Sequence, residues 1–188
     1  MENKILIIVD VQYDFLESGR LPVVGGRRVA RSIADFLRRE RKKFAAVVCT
    51  LDWHPQDHCS FEAQGGTWPK HCTQHSHGAS IHNTVMRTLE DCYQDRFFIF
   101  EKGADSHREE YSFLQNKDNA DRFAQMLKQW GPNAELHVCG VAGDVCVMNT
   151  VKDLMRLTDN IVLHPWLVAS INEETFKRFI AENKIREE

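Results

Sequence analysis

No apolar run in this sequence approaches the ~20 residues that a membrane-spanning helix needs, and the aliphatic stretch at residues 5–9 stops at Asp10 without a signal-peptide cleavage pattern. The expectation is a cytoplasmic protein with no membrane partner. Neither charge sign is in excess: 24 basic against 27 acidic side chains leave a net charge of −3, which argues against a general affinity for nucleic acid. CxxC pairs, internal repeats and low-complexity tracts are absent. Six cysteines in a reducing compartment are then thiols or metal ligands rather than three disulfides. What these absences leave is a small-molecule partner, with a homo-oligomer still open. A length of 188 residues suits one domain, 1–188, able to bury about 70% of its extended surface.

The segment that is most informative is HVCGVAGDVCVMNT, residues 137–150. It reads as a buried strand, a tight turn containing Gly140 and Gly143, and a helix whose apolar face carries Val147, Val151, Leu154 and Met155. That turn places Cys146 in a first helical turn, where the macrodipole and unpaired backbone N–H groups favour a thiolate and can hold an oxyanion. A buried structural cysteine, as expected for Cys139, is the competing reading.

Three more aliphatic or aromatic runs end in ionisable residues. KILIIVD ends in Asp10, FAAVVCTL is followed by Asp52, and RFFIFEK ends in Lys102. Such runs read as parallel strands covered on both faces, and open α/β sheets bind ligands beyond the carboxyl ends of their strands. Residues 27–43 form a first crossover helix with Val29, Ile33, Phe36 and Leu37 inward; its basic residues, interrupted by Asp35 and Glu40, read as a solvated face rather than an RNA site. A helix at 119–130, a fifth strand at 160–164 and a last helix capped by Ser170 and Glu173 complete an alternating pattern. The expected architecture is α/β: a doubly wound parallel sheet with helices on both faces, in the three-layer, Rossmann-like manner.

From residue 52 to about 95 the periodicity fades, and a loop this long is usually functional. It brings together Asp52, His54, His58 and His71, a carboxylate and imidazole mixture suited to one divalent ion, Zn²⁺ first, with Fe²⁺ or Mn²⁺ as alternatives. A closed zinc site using Cys59 and Cys72, or histidines that bind nothing, are the other readings.

The pieces IIVDVQYDF, DWHPQDHCSF, WPKHC, GASIH, EKG and GVAGDVCV, in that order, resemble the nicotinamidases or pyrazinamidases of the isochorismatase-like cysteine hydrolases. The resemblance implies a catalytic triad of Asp10, Lys102 and Cys146, an oxyanion hole at the N–H groups of Ala142 and Cys146, and a cis peptide before Ala142. It further implies metal ligation by Asp52, His54 and His71, with His58 as a possible fourth ligand, and a substrate ring held by Phe15, Trp68 and Tyr111. The implied activity is hydrolysis of nicotinamide to nicotinate and ammonia through a Cys thioester. A sibling hydrolase acting on another amide or carbamoyl group, or a catalytically silent metal-binding protein, remain the alternatives. The chain departs from the family pattern at Gly143, where many members carry Thr, and at His164-Pro165-Trp166, where an Asp-Ala pair is common.

Overall fold

A computed structural model describes residues 3–188. Six parallel strands form one sheet in the order β3-β2-β1-β4-β5-β6, with β1 at Lys4–Val9, β2 at Ala46–Asp52, β3 at Phe97–Lys102, β4 at Glu135–Val141, β5 at Ile161–Ala169 and β6 at Arg186–Glu187. Helix α1 (Gly26–Arg39) and helix α2 (Asn83–Tyr93) cover one face. The other face carries α3 (Lys117–Trp130), α4 (Met148–Leu154) and α5 (Glu173–Asn183). The expected doubly wound sheet is thus present. No described helix is long and apolar enough to cross a membrane.

The cause lies in the strand sequences. All six residues of β1 are apolar except Lys4, and alternate ones feed opposite cores: Leu6 and Ile8 pack under α1, whereas Ile5, Ile7 and Val9 pack under α4 and α5. A strand buried on both faces has no polar alternation to show. Each such large aliphatic side chain contributes about 1.5–3 kcal/mol on burial.

Sheet order determines where a site can form. The chain leaves β1 toward β2 and β3 on one side, then returns to place β4 on the other side. The reversal falls between β1 and β4, and a crevice opens beyond their carboxyl ends at such a switch point. Gly140 sits in β4 beside Val9, not in the expected turn. Its φ is +125°, and a Cβ there would lie 2.1 Å from the Val9 carbonyl oxygen, so any side chain would separate the two strands just below the crevice.

Several local expectations need correction. Residues 83–93 lie within the expected loop of 52 to about 95 but are helix α2: Val85, Leu89 and Tyr93 recur along one face and are fully buried against α1. Its N-cap, His82, makes no side-chain capping bond, so the usual start signal is missing. Helix α5 is capped by Asn172, whose side chain accepts from the Thr175 N–H, and not by Ser170. Met155 is exposed, while Val147, Val151 and Leu154 are buried as expected. Strand β5 continues through Pro165 to Ala169: Val138 pairs with Leu163 and Gly140 with Val168, so Cys139 faces the four residues 164–167. Proline is tolerated there because the ladder is already broken by the bulge. The basic face of α1 is solvated, with Arg38 and Arg39 paired to Asp35 and Glu40.

Candidate active site

Asp10, Asp52 and Lys102 are brought together at the carboxyl edge of β1, β2 and β3, and Cys146 reaches them from a tight helical turn, Gly143–Val147, that leads into α4. Lys102 is completely buried; its Nζ lies 3.0 Å from Asp10 Oδ2 and 3.6 Å from Cys146 Sγ, and it also pairs with Asp52 Oδ1. Asp10, Asp52 and Cys146 each present one ligand-type atom within 4.8 Å of the others. Acid, amine and sulfur, 136 positions apart at the extremes, share one small volume.

Asp10 is held in a left-handed conformation, φ 49°, by neighbours on β2: its N–H donates to the Thr50 carbonyl, and Thr50 Oγ1 donates to Oδ1 at 2.6 Å. The contact from Lys102 to Oδ2 is an ion pair rather than an aligned hydrogen bond, so Oδ2 can still accept a proton. Burial raises the Asp10 pKa, Lys102 opposes that shift, and Asp52 adds to it. Asp10 is therefore a stronger base than an ordinary carboxylate. For Asp52 burial also pushes upward, but Lys102, His54 and His71 win and hold it well below the usual range. Lys102 stays firmly charged: burial works against its charge, and Asp10 and Asp52 outweigh burial.

The thiol does not behave as its helix position suggests. Burial raises the Cys146 pKa well above normal; Lys102 lowers it, but Asp10 and Asp52 push it up again. The resting group is a thiol, so the helix end alone does not make a thiolate. Proton transfer to an adjacent base is then the route to a nucleophile. Asp144 anchors this turn by accepting the N–H groups of Ile171 and Asn172, and the Val141–Ala142 peptide is cis, as the resemblance implies. A Cβ at Gly143 would meet Ser170 Oγ at 2.1 Å, so the residue that departs from the family pattern is matched to its own surroundings.

The residues expected to ligate a metal are equally well held. His54 Nδ1 contacts the Gly103 carbonyl at 3.0 Å and His71 Nδ1 contacts the Pro69 carbonyl at 2.7 Å. Each contact commits the δ nitrogen to a proton and leaves Nε2 with its lone pair, and both Nε2 atoms lie 3.6 Å from Asp52 Oδ2. Two imidazoles and an ionised carboxylate, converging with their outer nitrogens satisfied, fit a divalent metal ion. His58 lies against His54 with ring centroids 4.0 Å apart, but both its nitrogens are engaged, by Ser60 Oγ and the Arg108 carbonyl. Cys59 and Cys72 belong to no metal-binding group among the described residues.

Phe15, Trp68 and Tyr111 line one cavity with His71, Ala142 and Cys146, and Trp68 Nε1 donates to Tyr111 Oη at 3.2 Å. Sequence reasoning missed the residues that hold this site together. Gln12 spans the base: its amide donates to the Asp52 and Ala79 carbonyls and accepts the Asp52 N–H, fixing Asp52 from behind. Asp14 accepts the Cys72 N–H at 2.7 Å and so positions His71. Gly103, at φ +65°, lets His54 approach; a Cβ there would meet its ring at 2.4 Å. Gln12 and Asp14 follow the first strand within VQYD, where short polar residues in a loop gave no sign of burial. Glu109, on the cavity wall, had no distinguishing signal either.

Residues 4–184 match the isochorismatase domain family. The chain is 37% identical over 155 residues to a nicotinamidase/pyrazinamidase of Mycobacterium tuberculosis, covering 80% of this chain and 78% of that protein. Its fold matches that of a pyrazinamidase from Pyrococcus horikoshii in complex with zinc, with a TM-score of 0.85, 30% identity, and 99% and 98% of the two chains covered. It also matches an L. infantum protein solved in complex with nicotinate, at a TM-score of 0.82 and 31% identity, covering 99% of this chain and 92% of that one.

Proposed function

Because the chain belongs to the isochorismatase family, we propose that it is a nicotinamidase, hydrolysing nicotinamide to nicotinate and ammonia, with pyrazinamide as a second substrate. The observation that carries this reading is the meeting of Lys102 with Asp10 and Cys146 beside the Asp52, His54 and His71 donors, with Cys146, Asp52 and His71 lining one cavity together with aromatic rings.

The ring of the amide lies between Phe15, Trp68 and Tyr111, and its carbonyl carbon is presented to Cys146 Sγ. As the sulfur attacks, its proton passes to Asp10 Oδ2, whose raised pKa suits a general base. Lys102 stays protonated throughout and moves its pairing from the Asp10 carboxylate toward the developing negative charge on sulfur, 3.6 Å away. The N–H groups of Ala142 and Cys146 receive the oxyanion; one such donor is worth roughly 3 kcal/mol in a preorganised site. Collapse breaks the C–N bond, Asp10 returns its proton to the leaving nitrogen, and ammonia departs from a thioester. Water then adds to the acyl carbon while Asp10 takes its proton, and cleavage of the C–S bond releases the carboxylic acid and restores the thiol.

Asp52, His54 and His71 would hold one metal ion, zinc by preference. When bound, it supplies positive charge and a Lewis-acid contact that orients a pyridine nitrogen, a positioning role. His58 acts on this site by packing against His54 rather than as a ligand. Compartment follows from the same reading: a cytoplasmic enzyme of pyridine nucleotide salvage.

Ammonia release from nicotinamide, pyrazinamide and a set of aliphatic amides, measured with and without chelator, tests the assignment. Turnover of the two pyridine-like amides, weakened by chelation, is expected. Turnover of aliphatic amides alone would move the protein to a sibling hydrolase activity.

A further inference from the structure

A second cluster of metal-type donors lies away from the active site, on the α1 side of β4 and β5. His137 stands four residues before Val141 on β4, about 13 Å back along the strand at ~3.3 Å per residue, facing α1 rather than the crevice. His164 opens the β5 bulge, and Glu188 follows the short edge strand β6. Their ligand atoms all fall within 4.8 Å of one another. His137 Nδ1 is 2.8 Å from His164 Nε2 and 3.8 Å from Glu188 Oε2. We propose that His137, His164 and Glu188 form a second divalent-cation site, taking Zn²⁺ or an ion of similar preference, independent of the catalytic one.

The outer groups support the donors in the way metal sites require. His137 Nε2 contacts Glu135 Oε1 at 2.6 Å, so a proton sits on that nitrogen and the lone pair of Nδ1 points into the cluster. Glu135 is itself fixed by Lys4 and Arg186. His164 Nε2 therefore donates to the His137 Nδ1 lone pair at 2.8 Å, and an ion must displace this proton; His164 Nδ1, which has no hydrogen-bond partner among the described residues, is the nitrogen free to take it up. Both imidazoles are almost wholly buried, 0% and 1% exposed, under the rings of Phe36, Phe44 and Trp166. Two neutral imidazoles and a carboxylate are the ligand chemistry of a zinc site with an open fourth position. The opening lies on the Glu188 side, where that carboxylate is half exposed. Lys43 pairs with Glu188 Oε1 and is the cation that a metal must displace. The consequence for the fold is that one ion would tie β6, which pairs with β5 through only a short register, to the interior of β4.

Zinc stoichiometry after equilibration and desalting, measured by elemental mass spectrometry on the full chain, decides the matter. Two equivalents are expected for the native chain and one for His164→Gln, with nicotinamide hydrolysis unchanged in that variant. His71→Ala should keep one equivalent and lose it when combined with His164→Gln. Glu188→Gln alters only a surface side chain and keeps the fold testable; it should weaken the second site at least tenfold in a zinc titration. Glu135→Gln should weaken it roughly 10–100-fold. A native chain that binds a single equivalent, or a Glu188→Gln chain whose second affinity is unchanged, overturns the proposal. So does retention of two equivalents by His164→Gln.

Discussion

Two buried ionic clusters occupy this sheet, and they differ in what surrounds them. At the carboxyl ends of β1, β2 and β3, Lys102 is shared by two carboxylates and faces a thiol at the base of a cavity. On the α1 face of β4 and β5, His137 and His164 are packed under aromatic rings and line no part of that cavity. Burial perturbs pKa values in both: it raises Asp10 in the first and presses His164 down to about 4 in the second. Perturbed titration alone therefore does not mark a reaction centre. Position at the sheet's switch point, a cavity, and an acceptor next to a nucleophile do.

Breaking the first cluster should cost chemistry and breaking the second should not. The largest effect is expected for Cys146→Ala, which removes the proposed nucleophile: nicotinamide hydrolysis falls on the order of 10⁴-fold or more while ligand binding, followed by calorimetry, survives. Asp10→Asn comes next, at about 10²–10⁴-fold in kcat. It also leaves the buried ammonium of Lys102 with one carboxylate fewer, so thermal unfolding should shift downward. Removing the metal with a chelator, or replacing His71 by Ala, is expected to raise KM more than it lowers kcat, because the part proposed for the ion is to hold the ring; steady-state kinetics separate the two. Gly140→Ala lies between the clusters and should destabilise the protein by about 2–4 kcal/mol in denaturant unfolding, since its Cβ would press on the Val9 backbone at a positive φ. His164→Gln is the smallest: kcat/KM for nicotinamide unchanged. A marked loss there would erase the contrast between the clusters.

Much of this arrangement is legible in the sequence. Strands buried on both faces announce themselves as continuous apolar runs, and Asp10, Asp52 and Lys102 could be read at or directly after three such runs. Their sharing of one edge followed from parallel topology. Other features were illegible for physical reasons. Helix α2 lacks a side-chain cap and follows a long irregular segment, so its short apolar face was absorbed into the loop. The state of Cys146 depends on burial and on two carboxylates that arrive from distant strands, and helix position alone does not give it. Gln12 and Asp14 act through backbone N–H and carbonyl groups of other segments, partners that a linear reading cannot supply. Strand β6 has two residues, too few for any period to appear.

The central claim is that Asp10 and Cys146 act as one unit across Lys102. It is tested most directly by kcat/KM for nicotinamide in Asp10→Asn, Cys146→Ser and the double variant. A double variant no slower than the slower single one is the predicted result, because either loss already disables the shared step. Penalties that multiply would show two groups working independently and would contradict the account.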